Sequence, residues 1–141
     1  LARVRYERAP DVCRAAEVLV DALGLDYIDV SRVYCVRSWG SRGRAYARIY
    51  GTPGAWAAAL GYNPGYVIEV VSEKFDPLPL EEKVKVVIHE LLHIPRTFSG
   101  GLRAHGPLVN GRRVAALYRR VRGDARVMGI LREALDGGPQ E

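Results

Sequence analysis

The chain has very little lysine, cysteine, methionine or histidine. Of its 21 basic residues only Lys74, Lys83 and Lys85 are lysine, and the rest are arginine. Two cysteines, Cys13 and Cys35, are too few for a disulfide framework, and neither sits in a CxxC pair. Both read as small buried hydrophobes, the common role of a free cysteine. No apolar run approaches the length of a membrane span. The opening residues "LARVRYERAP" lack the apolar stretch of a secretory signal, and the sequence starts without Met, so it reads as trimmed. A cytoplasmic location is the expectation. No repeat, low-complexity tract or long linker divides the 141 residues, so a single domain over 1–141 is expected. Histidine occurs three times, at His89, His93 and His105, all within seventeen positions.

Apolar residues at 48% and charged residues at 26% are globular proportions, which excludes a disordered chain. The formal charge of +5 favours acidic partners or nucleic acid as a class and says nothing about fold. Apolar spacing after Pro10 predicts a helix running to a stop at Gly24. "YIDVSRVYCVRSW" reads as a strand, and "AYARIYG" as a second strand hairpinned to it through "GSRGR". "TPGAWAAALGY" reads as a short helix from about Pro53. "YVIEVVS" is the clearest strand, with the nearly continuous apolar pattern of a strand covered on both faces. It either offers an edge to an extended peptide or lies inside the sheet. Residues from about 107 to 122 and from 124 to 136 read as one broken helix or two, with Val114, Leu117, Val121, Val127, Ile130, Leu131 and Leu135 as the apolar seam. "DGGPQE" reads as a frayed tail.

Between these lies "DPLPLEEKVKVVIHELLHIP". Pro79 fits the first helical position, Glu81 and Glu82 suit the positive end of the helix dipole, and Pro95 stops the helix near Ile94. His89 and His93 are four apart, so on a helix their rings lie one turn apart on one face, close enough to share a metal ion. Glu90 lies about 100° around the axis, out of line with the metal but within reach of a water on it. This is HExxH, in which two imidazoles bind zinc and the glutamate is the general base. A catalytic zinc takes three protein ligands and leaves one position open. His105 is the favoured third ligand, returned by a turn through Pro95 and Gly100-Gly101, and Glu133 is the carboxylate alternative. A site that only stabilises the fold usually closes with four protein ligands, and a fourth imidazole does not exist here.

"HELLH" at 89–93, then a loop, then "HGP" at 105–107 leading into a helix, resembles the zincin metallopeptidases and within them the SprT-like group. The stretch from Tyr66 to Pro107 also resembles small archaeal and phage-type metallopeptidases, more loosely back through "RSWGSRGRAYARIYG". The resemblance implies Zn2+ on His89, His93 and His105, with Glu90 as base, in peptide-bond hydrolysis. It implies an α+β fold: a small mixed or antiparallel sheet packed on the HExxH helix, with N- and C-terminal helices. SprT-like members often carry a C-terminal zinc ribbon, whereas this chain has no cysteine after Cys35. The partner expected is therefore a protein or peptide substrate, with no membrane. DNA is a further candidate through Arg37, Arg42, Arg44 and Arg48 interleaved with Trp39 and Tyr46, a composition that a solvated basic hairpin explains equally well. Arg96, Arg103 and the tyrosines are candidates for a second oxyanion donor. The reading from another class is a metal-stabilised nucleic-acid- or protein-binding module without catalysis. An intact Glu90 favours the enzyme.

Overall fold

The computed structural model describes residues 3–137. It is a mixed α+β arrangement, as expected: a four-stranded sheet and, among the described residues, six α-helices. The first ten described residues already depart from the sequence reading, because Arg5–Arg8 form a strand, β1. Its four side chains are all exposed, so no alternating pattern marks it. Helix α1 follows at Pro10–Ala22, with Pro10 in its first turn and Val12, Ala15, Ala16 and Leu19 buried. Gly24 ends it at φ +65°, where its N–H meets the Asp21 carbonyl and the Leu25 N–H meets that of Val20. This paired closure needs a left-handed residue, which glycine adopts without a Cβ clash.

The strand expected from Tyr27 is shorter than its composition suggests. Asp29 turns residues Val30–Arg32 into a single 3-10 turn, its carboxylate accepting from the Ser31 N–H at 3.1 Å and the Ser31 hydroxyl at 2.6 Å. A short polar side chain that bonds the backbone two residues on competes with strand pairing. Strand β2 therefore covers only Val33–Trp39. Strand β3 is Ala47–Gly51, α2 is Gly54–Leu60 and β4 is Tyr66–Val71.

The sheet order is β1-β2-β4-β3. The expected β2–β3 hairpin does not form. β2 has β1 antiparallel on one side and β4 parallel on the other, and β3 pairs antiparallel with the far side of β4. The reason lies in β4, whose residues are buried except for the half-buried Val67. A strand apolar on both faces belongs inside a sheet. The possibility that Tyr66–Ser72 is a free edge is thereby corrected: the edge near the histidines belongs to β3. Within β4, Glu69 is 1% exposed and accepts from Ser38 Oγ at 2.5 Å, Tyr50 Oη at 2.5 Å and Arg48 Nη1 at 3.0 Å. A buried carboxylate persists only when so satisfied.

The short helix α3, Ser72–Phe75, leads to α4, Leu80–Leu92. Pro79 caps α4 one residue outside it rather than occupying its first turn. Val84, Val87, Ile88, Leu91 and Leu92 of α4 lie in the same apolar cluster as Ile68 and Val70 of β4 and Leu19 of α1. Two further helices close the chain, α5 at Gly111–Arg122 and α6 at Ala125–Asp136. They are separate, because Asp124 accepts the Val127 N–H and starts a new helix. Of the expected seam, Val114, Leu117, Val121, Leu131 and Leu135 are buried, and Val127 and Ile130 half-buried. The last four residues of the expected frayed tail, 138–141, lie outside the described residues.

Leu91 is fully buried one residue beyond Glu90. Leu91→Ala should lower unfolding stability by about 2–5 kcal/mol, the cost of a core truncation and its cavity. Denaturant unfolding of the two proteins measures it.

Candidate metal centre

The last turn of α4 presents His89 half-buried and His93 partly buried, with His105 exposed beyond them. The helix stops at His93 because the Ile94–Pro95 step disfavours further helical backbone, which leaves His93 as the cap. The chain then doubles back. Phe98 takes φ +47° and packs edge-on against the Tyr66 ring at 5.0 Å between centroids. The buried Tyr66 hydroxyl donates to the Gly101 carbonyl and accepts from the Gly100 N–H, both at 2.8 Å. Burial raises the Tyr66 pKa, which keeps the phenol neutral and able to donate. A second tie follows: the Arg103 N–H donates to the His93 carbonyl at 2.7 Å, and His93 Nδ1 lies 2.6 Å from the Arg103 carbonyl. Two residues later comes His105.

The return brings the three imidazoles together. Their ring centroids are 4.8 to 5.1 Å apart, and one nitrogen from each lies within 4.8 Å of the others. A carbonyl only accepts, so His93 Nδ1 carries the proton and Nε2 keeps a free lone pair. This is the ring orientation by which metal-bound histidines are usually fixed. His89 Nε2 and His105 Nε2 face each other at 3.0 Å. Two lone pairs at that separation repel, so a proton or a cation must lie between them. Two nitrogens on one tetrahedral zinc sit about 3.3 Å apart, given Zn–N bonds of about 2.0–2.1 Å. The donor set therefore fits a divalent cation. The His89 pKa is lowered, first by burial and then by the other two imidazoles, which favours the neutral ligand form.

Glu133 does not join this group. It projects from α6, exposed, with its carboxylate 3.8 Å from Arg14. Glu90 does face the site: it lines the same cleft of about 760 Å3 as His89, His93 and His105. It is 8% exposed and has no hydrogen-bond or ion-pair partner among the described residues. Burial pushes its carboxyl up to about 7. A dication nearby would draw that value back down. β3 borders the cleft through Ala47, Arg48 and Ile49. Of the oxyanion candidates, Arg103 and Tyr46 reach the cleft lining and Arg96 does not.

A family model described as "Putative phage metallopeptidase" matches residues 4–126. The chain belongs to this family. The metallopeptidase match reaches well beyond the 66–107 stretch that carried the sequence resemblance, and takes in β1, α1, all of α5 and the first two residues of α6. No curated protein and no solved structure matches the chain. Membership in a metallopeptidase family and a three-histidine group able to hold a metal ion point the same way. No helix among the described residues is long and apolar enough to cross a membrane.

The basic stretch set out as a candidate nucleic-acid contact is largely committed elsewhere. Arg37 bridges Asp11 and Asp76, both at 2.8 Å, and Arg48 is held by Glu69. Arg5 stacks over Trp39 at 4.2 Å. Only Arg42 and Arg44 of the four arginines are exposed. Cys35 is buried and Cys13 half-buried, both free, with Cys13 Sγ 3.5 Å from the Val33 carbonyl.

Two residues that shape the site carried no sequence signal as such. Tyr66 reads as a strand residue and Arg103 as a loop cation, yet both hold the ligand loop in place. Tyr66→Phe should strand the Gly100 N–H and the Gly101 carbonyl, and lower metal affinity by about 10- to 100-fold, as loss of an outer support does. Competition with a coloured chelator measures the change. Chelation itself should lower the melting temperature, because an ion that binds only the folded state stabilises it by about 2.7 kcal/mol at a hundred times its Kd. Thermal unfolding with and without EDTA reads this directly.

Proposed function

We propose that the protein is a zinc-dependent peptidase of the zincin type, built as one domain. His89, His93 and His105 hold the metal, and Glu90 is the general base. The observation that carries this reading is the shared cleft: three converging imidazoles and one carboxylate without a partner. When bound, the zinc ion supplies Lewis acidity, lowering the pKa of a water to about 7 and polarising the scissile carbonyl. Glu90 takes the proton of the attacking water and returns it to the leaving amine. Glu90 lines the cleft, and its lack of a partner among the described residues leaves both oxygens for the substrate's chemistry. The imidazole set and the resemblance of "HELLH…HGP" to SprT-like proteins both support zinc.

The substrate edge is β3. Among the described residues it ends the sheet, pairs only with β4 and borders the cleft. An extended peptide can add to such an edge as a further strand, with backbone hydrogen bonds giving affinity and the cleft reading its side chains. Tyr46 and Arg103, which both line the cleft, are the candidates for a donor to the oxyanion.

The test is hydrolysis of a broad panel of unfolded proteins and peptides by untagged, zinc-loaded protein. Cleavage that stops with chelator and returns with zinc is expected. Absence of cleavage across the panel, with zinc bound, would favour the non-catalytic metal-stabilised module instead.

A further inference from the structure

Four arginines converge on a second pocket, of about 510 Å3, that shares Arg103 with the catalytic cleft. Arg96 and Arg103 come from the loop that carries His105. Their guanidinium carbons sit 5.6 and 6.0 Å from the centroid of the Tyr27 ring. Arg113 and Arg120 come from α5, seven residues and so two turns apart on one face. None of the four forms an ion pair among the described residues. Among the described residues, the only carboxylate in the lining is Asp26. Arg113 Nε is buried without a hydrogen-bond partner among the described residues. Arg113 also lies in the first turn of α5, where the helix dipole opposes a cation and favours an anion.

We propose that this pocket binds a phosphate dianion, free or as a monoester. A planar guanidinium fork matches phosphate oxygens two at a time, and Arg is the preferred residue for that geometry. Four forks against one carboxylate leave a local excess of three positive charges. A phosphate carrying about −1.5 to −2 at neutral pH offsets more of it than a single peptide carboxylate does. The ligand would also rest on Arg103, whose backbone is bonded to His93. Occupancy of the pocket would thus steady the loop between the second and third histidines. The inference concerns binding and does not depend on the peptidase reading.

The experiment is calorimetric titration of the whole chain at fixed ionic strength with inorganic phosphate, phosphoserine and hexaglutamate in turn. One saturable equivalent is expected for phosphate or phosphoserine. Tighter phosphoserine marks a monoester site, and equal or tighter inorganic phosphate marks a site for the free ion. Arg113→Gln and Arg120→Gln should each weaken binding roughly tenfold, the usual cost of losing one charge-assisted contact. Arg132→Gln, an exposed arginine on α6, should leave it within twofold. If Arg113→Gln fails to fold, the exposed Arg120→Gln carries the test alone. No saturable binding overturns the proposal. So does hexaglutamate binding as tightly as phosphate, or equal loss in all three variants, since either outcome describes diffuse positive charge. An unphosphorylated oligonucleotide that outcompetes phosphate with a steep salt dependence would also overturn it, in favour of a nucleic-acid surface.

Discussion

Glu90→Gln should abolish most peptide hydrolysis while leaving the metal in place. The amide is nearly isosteric with the carboxylate, so the helix turn that carries His89 and His93 keeps its packing. It cannot accept a proton at neutral pH, so the attacking water loses its base. A positioned general base contributes about 10²- to 10⁴-fold to rate, and kcat should fall by that order. KM should change little, because Glu90 acts on the reacting atoms and not on the rest of the substrate. The burial of Glu90 at 8% exposure adds a second consequence. Removing a partially desolvated carboxylate that has no partner should not destabilise the fold, and the unfolding midpoint should hold or rise. Steady-state kinetics with matched metal analysis checks the first expectation, and denaturant unfolding the second. A variant that loses metal along with activity would move Glu90 from base to structural support.

His105→Ala should have the largest effect on metal binding. His105 is the one imidazole carried neither by α4 nor by its cap residue, and it is exposed. Truncation there removes a donor without opening the core, so folding should survive. With two nitrogens left on adjacent helical turns, divalent-cation affinity should fall by more than about 100-fold, beyond the 10- to 100-fold cost of losing an outer support. Glu133→Gln is the matched control. Its carboxylate is engaged with Arg14, away from the imidazoles, so affinity should not move. Equilibrium dialysis of the two variants against a buffered zinc series distinguishes them. Equal losses would restore Glu133 to the ligand set.

The candidate metal centre was largely readable from the sequence because its chemistry is local. His89, Glu90 and His93 take their relative directions from helical rotation alone, and Pro95 announces where that helix ends. Placing His105 required a further step, elimination among three histidines, and Gly100-Gly101 gave the turn its plausibility. What holds the turn was not readable. The Tyr66 hydroxyl reaches Gly100 and Gly101 across more than thirty residues of sequence, and Arg103 acts through its backbone, which every residue has.

The sheet shows the same division. The apolar run of β4 marked it as covered on both faces but left open whether it lay at an edge, and it lies inside the sheet. Which strands flank it is a long-range question that alternation does not answer, and the simplest local connection, a β2–β3 hairpin, was the wrong one. β1 escaped notice because four exposed residues leave no periodic trace. The Asp29 turn shortened β2 through hydrogen bonds that the strand-like composition of the segment conceals. For the basic residues, composition grouped Arg37 and Arg48 with Arg42 and Arg44, whereas the fold spends the first two on buried or partly buried carboxylates.

The most direct test of the metal centre is X-ray absorption at the K-edge of whatever divalent metal accompanies the protein when it is purified without an affinity tag. One metal per chain is expected, with three imidazole nitrogens at about 2.0–2.1 Å if it is zinc, completed by oxygen. Sulfur in the coordination shell, fewer than three imidazoles, or no bound metal at any stage of purification would contradict it.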